Sequence, residues 1–365
     1  MPKLDSPLQL APVFKPKIWG RRDLAPVYPD FWTTWRGKKV GIHYPQREAA
    51  ENDLIGEAWL TDDESVFLNG PLAGMKLGEA YLRYGDELCG RSVRSRRFPL
   101  LAKFLFTSDW LSVQVHPDDD YARRQESGGP GKCEMWYVLE AEQNAEFLLG
   151  LKPRITLEQL GAAIDAGTSV DLLRRFNPES GTAVFVPPGT VHALGPGLIL
   201  LEVEQNSDIT YRLDDFGRNG PDGKPRPLHR EKGLEVTRPE LQPLCSLPHL
   251  EFPEDYGSRR FVLACPHFAV EELALEEIIS ARGTGRSEAF AVLSGEGRVE
   301  TQAGWYAYRP GHIWLVPAAA ASYRLVPEKS SRLVKFYVPD IEEDFRRPLA
   351  ERGLLAEEAQ KVIFV

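Results

Sequence analysis

The chain has 365 residues, of which 42% are hydrophobic, 27% charged and 10% aromatic, and its formal net charge is −9. This length allows one large domain or two ordinary domains, each with a buried core. The acidic balance argues against nucleic acid or an anionic membrane as a partner, whereas a small phosphorylated ligand in a local basic pocket is compatible with it.

Targeting and redox features point to the cytoplasm. No stretch reaches the roughly 18 uncharged apolar residues of a membrane span, and the first residues lack a signal-peptide pattern. The four cysteines, Cys89, Cys133, Cys245 and Cys265, contain no CxxC pair. We therefore predict free thiols and a cytoplasmic location. The expected assembly is a monomer or a homodimer.

Up to about residue 240, the chain is predicted to form strands and turns with helical insertions. LGEAYLRYGDELCG is predicted as a helix that ends at Gly90, and ITLEQLGAAIDAG as a helix with Thr156 at its N-cap. WLSVQVH and EMWYVLEA alternate with the period of half-buried strands, and LILLEVEQ is predicted as a strand with one strongly apolar face.

The second part of the chain resembles the first. A linker is predicted over residues 241–254, strands over 259–339, and a polar helical tail thereafter. EMWYVL and EAFAVL share one pattern, and each is followed by a strand that enters a Val-Pro turn, in FVPPGTVHAL and WLVPAAAASYRL. Unless this similarity arises by chance, it indicates a duplicated unit. The predicted fold is mainly β, with two cupin (jelly-roll) β-barrel domains, residues 1–240 and 241–365, and helical insertions.

Four residues of the first unit form a candidate metal site. Gln114 and His116 are two apart on a strand and therefore project to the same side. Glu134 is a carboxylate in an apolar strand, where burial without a partner is costly, and His192 follows the VPPGT turn. This donor set suits zinc, manganese or iron(II). Each residue alone is weak evidence, because an isolated strand histidine is more often structural.

The second unit is predicted to hold no metal. Glu288 matches Glu134, but no Gln-x-His pair occurs there. The turn after Pro317 has alanines where His192 would be expected.

Further charged residues occupy apolar or strand settings near these candidate ligands. Lys103 lies in FPLLAKFLF, Glu202 lies in LILLEVE, and Lys132 precedes Glu134 by two residues. Arg212 and Arg218 follow in YRLDDFGR. Arginine suits bidentate recognition of oxygen atoms, although any of these cations could be an ordinary surface charge whose stem packs on the protein.

These segments resemble type I mannose-6-phosphate isomerases of the shorter bacterial form. The resemblance covers roughly residues 14–218 and rests on KPKIWGRRDL, IGEAWL, FPLLAKFLFTSDWLSVQVHPDD, GKCEMWYVL, VFVPPGTVHALG and LLEVEQNSDITYRLDDFGR. It implies interconversion of mannose 6-phosphate and fructose 6-phosphate, with one zinc ion held by Gln114, His116, Glu134 and His192.

The resemblance also implies a sugar-phosphate pocket and assigns roles within it. Residues implied to line that pocket are Lys103, Ser112, Lys132, Glu202 and Arg212, with Trp19 near its entrance. Arg212 matches an arginine implied to be catalytic. Longer members of the family have lysine where this chain has Arg218, and arginine is too basic to act as a proton acceptor, so we expect it to bind substrate instead.

The expected mechanism removes the C2 proton of the open-chain aldose to give a cis-enediol, with the metal as Lewis acid. Glu202 is the first candidate base, because desolvation should raise its pKa, and Lys132 is the second. Arg212 is expected to hold the developing oxyanion or the phosphate. Two alternatives are a non-catalytic sugar-phosphate sensor and a cupin oxygenase. The Gln/Glu-rich ligand set and the basic residues disfavour the oxygenase.

Overall fold

A computed structural model describes residues 2–29, 54–91, 93, 95–220, 222–302 and 304–365. The first twelve strands are β1 Leu8–Leu10, β2 Val13–Arg21, β3 Ile55–Trp59, β4 Leu100–Phe106, β5 Val113–Val115, β6 Glu134–Ala141, β7 Phe147–Leu151, β8 Leu173–Phe176, β9 Ala183–Val186, β10 His192–Leu194, β11 Leu198–Gln205 and β12 Tyr211–Asp214. The remaining strands are β13 Leu250–Glu254, β14 Gly257–Ala264, β15 Ala269–Leu275, β16 Ile279–Arg282, β17 Glu288–Ser294, β18 Gly297–Thr301, β19 Gly304–Tyr308, β20 Ile313–Val316, β21 Ser322–Pro327 and β22 Ser331–Tyr337.

Short helices connect or cover these strands. The α-helices are α1 Leu77–Cys89, α2 Asp119–Gln125, α3 Leu157–Ala166, α4 Arg230–Val236, α5 Arg347–Glu351 and α6 Ala356–Ala359, and a π-helix, Glu342–Arg346, precedes α5. Both helices predicted in the first unit are confirmed. Thr156 caps α3 through a reciprocal capping box with Gln159, and Gly90 ends α1 at a φ of +89°. Among the described residues, none of the helices has the length and apolarity needed to cross a membrane.

The strands form two similar pairs of sheets. In the first pair, a sheet of order β2-β3-β4-β11-β6-β9 faces one of order β12-β5-β10-β7-β8. In the second, β1-β20-β17-β22-β15-β14-β13 faces β16-β21-β18-β19. Each unit is therefore a double-sheet jelly-roll rather than one closed ring of hydrogen-bonded strands, and the predicted mainly β fold is confirmed.

Apolar cores lie on both faces of the large sheets. Trp136 and Phe147 fill the interior of the first unit, and Phe290 and Trp314 fill that of the second. A further core joins the outer faces of the two large sheets, so that the units pack back to back. The N-terminal β1 pairs with β20 of the second unit. The division at residue 240 itself stays a prediction.

The predicted internal repeat is matched strand by strand. Glu134 of β6 pairs with Val186 of β9, and Glu288 of β17 pairs with Val316 of β20 at the same register. The linker prediction is wrong over Leu250–Glu254, which forms β13. This strand lies at the edge of its sheet, where Pro253 is tolerated because no ladder donor is needed on the open side.

Candidate metal centre and active site

Strand register brings three polar side chains to one face of the smaller sheet in the first unit. His192 of β10 lies directly opposite Gln114 of β5, and Gln114 lies opposite Arg212 of β12. Directly paired residues in an antiparallel sheet project to the same face. That face also carries Leu149 of the interior core, so these side chains point inward.

Glu134 approaches the same point from the opposing large sheet. One of its carboxylate oxygens lies 3.2 Å from His192 Nε2, and the other lies 3.6 Å from His116 Nε2. One ligand atom from each of these three residues lies within 4.8 Å of the others, and all three side chains are buried. The convergence of His116, Glu134 and His192 predicted from the sequence is therefore present.

The hydrogen bonds of the two histidines leave their Nε2 atoms facing the carboxylate. His116 Nδ1 lies 2.8 Å from the Ile209 carbonyl, and His192 Nδ1 lies 2.9 Å from the Thr190 carbonyl, so each Nδ1–H donates to backbone. Burial lowers the pKa of both imidazoles, which keeps them neutral. Both Nε2 lone pairs consequently point at Glu134.

This arrangement fits a cation. Among the described residues, His116 Nε2 and both Glu134 carboxylate oxygens are buried without a hydrogen-bond partner, although Lys132 makes an ion pair with one of those oxygens at 2.9 Å. A divalent ion would give these acceptors a shared partner. Gln114 Nε2 lies 3.2 Å from His192 Nε2, and rotation of that amide by a half turn would turn its oxygen towards the same point.

Four further side chains form a buried lysine–glutamate cluster, consisting of Lys103, Lys132, Glu202 and Glu204. Lys103 Nζ lies 3.2 Å from Glu202 and 2.7 Å from Glu204. Lys132 Nζ lies 3.7 Å from Glu202 and 2.8 Å from Glu204. The cluster adjoins the candidate metal centre because Lys132 also contacts Glu134.

The expectation that desolvation raises the pKa of Glu202 is wrong. Burial acts in that direction, but the Lys132 and Lys103 ammonium groups together outweigh it and hold the pKa of Glu202 well below its usual range. The neighbouring carboxylates likewise outweigh burial at Lys132 and raise its pKa. Glu202 is therefore ionised and Lys132 protonated in this arrangement.

Glu204 is the residue of this region that the sequence interpretation missed. It is fully buried and contacts both lysines, and burial raises its pKa. The signal was available, because Glu202 and Glu204 are two apart on one strand and must share a face. Glu204 also lies opposite Glu134 in the ladder between β11 and β6.

Arg212 is held at both its backbone and its guanidinium group. The Arg212 N–H donates to His229 Nδ1 at 3.0 Å, and its carbonyl accepts from the His229 N–H at 2.7 Å. Its Nη1 donates to the Pro227 carbonyl at 2.9 Å. Its Nε is buried without a hydrogen-bond partner among the described residues, so this N–H can donate to a ligand.

The other predicted pocket residues have different settings. Ser112 is buried and donates to the Gln114 amide oxygen at 3.3 Å. Trp19 is only 4% exposed and packs in the interior core of the first unit. Arg218 donates to Asp215 at 2.8 Å, to Asp109 at 3.2 Å and to the Trp110 carbonyl, and none of its described contacts reaches the lysine–glutamate cluster.

Comparisons with known proteins give a consistent family. A family model described as "Phosphomannose isomerase type I, catalytic domain" matches residues 8–136. The mannose-6-phosphate isomerase ManA of Bacillus subtilis is 35% identical over 87% of this chain and 95% of its own length. The mannose-6-phosphate isomerase of Streptococcus mutans is 34% identical over 87% of this chain and 94% of its own length.

Solved structures agree. The crystal structure of mannose 6-phosphate isomerase from Bacillus subtilis matches 92% of this chain and 100% of its own, at a TM-score of 0.80 and 28% identity. A phosphomannose isomerase from Salmonella typhimurium shares the fold at a TM-score of 0.68 and 16% identity. With 35% identity spread over nearly the whole of a curated relative, this chain belongs to the type I phosphomannose isomerase family.

Proposed function

We propose that this protein interconverts mannose 6-phosphate and fructose 6-phosphate, using a Zn²⁺ ion held by Gln114, His116, Glu134 and His192. The observation that carries the proposal is the convergence of three buried candidate ligands next to the lysine–glutamate cluster, in which His116 Nε2 and the Glu134 oxygens have no hydrogen-bond partner among the described residues. The names of relatives that share a third of its sequence support the choice of substrate.

The reaction moves a proton between C2 and C1 of the open-chain sugar through a cis-enediol. When bound, a divalent cation supplies a Lewis acid that polarises a sugar oxygen. Glu202 is our candidate for the proton acceptor, because the two lysines keep its carboxylate ionised.

Lys132 is better suited to the role of a proton or hydrogen-bond donor than to that of a base. Its ammonium is protonated, because Glu134, Glu202 and Glu204 surround it. A donor at this position would stabilise negative charge that develops on a sugar oxygen. Arg212 would supply its Nε–H to the phosphate or to the same oxygen, and Lys103 would keep the cluster in place.

The test is a coupled assay that follows fructose 6-phosphate formed from mannose 6-phosphate. We expect turnover in the unaltered protein and a loss of about 10²–10⁴-fold in Glu202→Gln, with metal content unchanged. Glu140→Gln is the matched control, because it makes the same chemical change at an exposed position. Full activity of Glu202→Gln would eliminate this base, and no turnover by the unaltered, metal-loaded protein would refute the proposed function.

A further inference from the structure

The second unit contains a cavity of about 280 Å³. Strands β15, β17, β21 and β22 and the π-helix Glu342–Arg346 contribute to its lining. Because β15, β22 and β17 follow one another in their sheet as β4, β11 and β6 do in the first unit, this cavity occupies the counterpart of the candidate active site.

The described residues that line this cavity include no histidine, cysteine or glutamine. Arg282 and Thr284, on and just after β16, contribute to that lining. Ser322 is paired with Arg282 as His192 is paired with Gln114, but both second-unit residues are exposed, and Tyr323 and Leu325 of β21 face the interior core instead.

Each unit has a lysine–glutamate pair on two neighbouring strands, but the strand that carries the lysine in one unit carries the glutamate in the other. Lys103 lies opposite Glu202 in the first unit, and Glu271 lies opposite Lys335 in the second. Lys335 Nζ is 3.3 Å from Glu271, close to the 3.2 Å of the Lys103–Glu202 contact. Glu288 retains the position of Glu134. Among the described residues, the candidate metal groups all lie in the first unit.

Several polar groups at this cavity have spare hydrogen-bonding capacity. Within the described part of the chain, the Glu288 carboxylate contacts only Lys335, at 3.7 Å, which is too long for a hydrogen bond. The Tyr323 hydroxyl makes no hydrogen bond to a described residue, and its ring stacks on Phe290 at 6.5 Å. A carboxylate, an ammonium and a phenol beside apolar ring faces suit a molecule that carries hydroxyl groups on a carbon frame.

Charge and size narrow the ligand class. The lining has three cations, Arg259, Arg282 and Lys335, and three carboxylates, Glu288, Glu343 and Asp344. Equal numbers of both signs give no net attraction for a phosphorylated compound. The volume equals that of roughly nine water molecules at about 30 Å³ each, which accommodates a molecule of monosaccharide size. We infer that this cavity is a second ligand site, which binds an uncharged monosaccharide or sugar alcohol.

The inference is tested by saturation-transfer NMR with D-mannose, D-fructose and D-mannitol as probes, each at about 10 mM, where a Kd of about 1 mM gives nearly full occupancy. We expect transfer to at least one probe in the unaltered protein and in His116→Ala, in which the first site is disabled. We expect binding to weaken at least tenfold in Glu288→Gln and Tyr323→Phe, with isomerase activity unchanged.

Three results would overturn this second site. The first is no transfer to any probe at that concentration. The second is transfer that is lost in His116→Ala but kept in both second-unit variants, which would place the sugar in the first unit. The third is displacement of the probe from the His116→Ala protein by equimolar mannose 6-phosphate, which would show a preference for phosphate. Tyr323→Phe removes a single oxygen atom, so it separates lost binding from lost folding.

Discussion

Replacing His116 by alanine should abolish the part of the protein's stability that depends on metal. In the metal-free protein, His116 Nε2 and Glu134 Oε1 are buried acceptors without hydrogen-bond partners among the described residues. A buried polar group left without a partner costs about 1–3 kcal/mol, so two such groups cost about 2–6 kcal/mol. A bound cation would relieve that cost.

The assay compares urea unfolding with and without a chelator and measures metal by elemental analysis. At a metal concentration a hundred times its Kd, binding adds about 2.7 kcal/mol to the free energy of unfolding, within the range above. We expect the unaltered protein to lose this increment on chelation and to carry one metal ion per chain. His116→Ala should show neither the metal nor the increment.

His312→Asn is the control for loss of a buried histidine elsewhere. His312 is 6% exposed, lies in the second unit and contacts Gln9 at 3.1 Å, outside the candidate metal groups. This variant should keep the metal and the full chelator-sensitive increment. If His116→Ala retained one equivalent of metal, or the same increment as the control, the proposed ligand set would be refuted.

Three further predictions concern stability, geometry and pH. Lys103→Met should lower the free energy of urea unfolding by about 3–5 kcal/mol, because it leaves the buried Glu204 carboxylate with only the Lys132 ammonium of its two lysine partners. A loss below about 1 kcal/mol would contradict this prediction. His229→Ala should lower kcat/KM about tenfold at unchanged metal content, because the Arg212 N–H loses its acceptor. An unchanged kcat/KM would show that Arg212 keeps its position without the hydrogen bond to His229. Burial lowers the pKa of His312 from 6.5 to about 4, so between these pH values the unfolded chain binds one proton more than the folded protein. The free energy of unfolding should therefore fall by about 3 kcal/mol as the pH drops from 6.5 to about 4. Urea unfolding measured at several pH values should show this slope in the unaltered protein and a flatter one in His312→Asn.

The candidate ligand set followed from the sequence because strand geometry is simple. Gln114 and His116 share a side wherever the backbone is extended, and a carboxylate such as Glu134 in an apolar strand demands a partner. The Pro-Pro-Gly turn then fixes where His192 enters. These local rules do not depend on which strands pair, so they were sufficient to identify the residues without the fold.

The electrostatics of the site could not be predicted in this way. Whether burial or a neighbouring charge controls Glu202 depends on how closely Lys103 and Lys132 approach it, and Lys103 becomes its neighbour only when β4 pairs with β11. That pairing joins residues 99 positions apart in the chain.

Comparison of the two units shows what makes one of them a candidate metal centre. Glu271, a buried carboxylate of the second unit at the position that Lys103 has in the first, contacts Arg259, the Tyr337 hydroxyl at 2.5 Å and Lys335 at 3.3 Å. Its negative charge is therefore satisfied by protein groups, and these contacts hold its pKa at about 2 despite burial. In the first unit, Glu134 faces two neutral imidazoles, which offer it lone pairs instead of protons. Glu288, the counterpart of Glu134, has Lys335 at 3.7 Å as the one described contact of its carboxylate and belongs to no candidate metal group of the described residues. The two units share strand order and register, so the side chains at matching positions, rather than the fold, determine which of them brings candidate metal ligands together among the described residues.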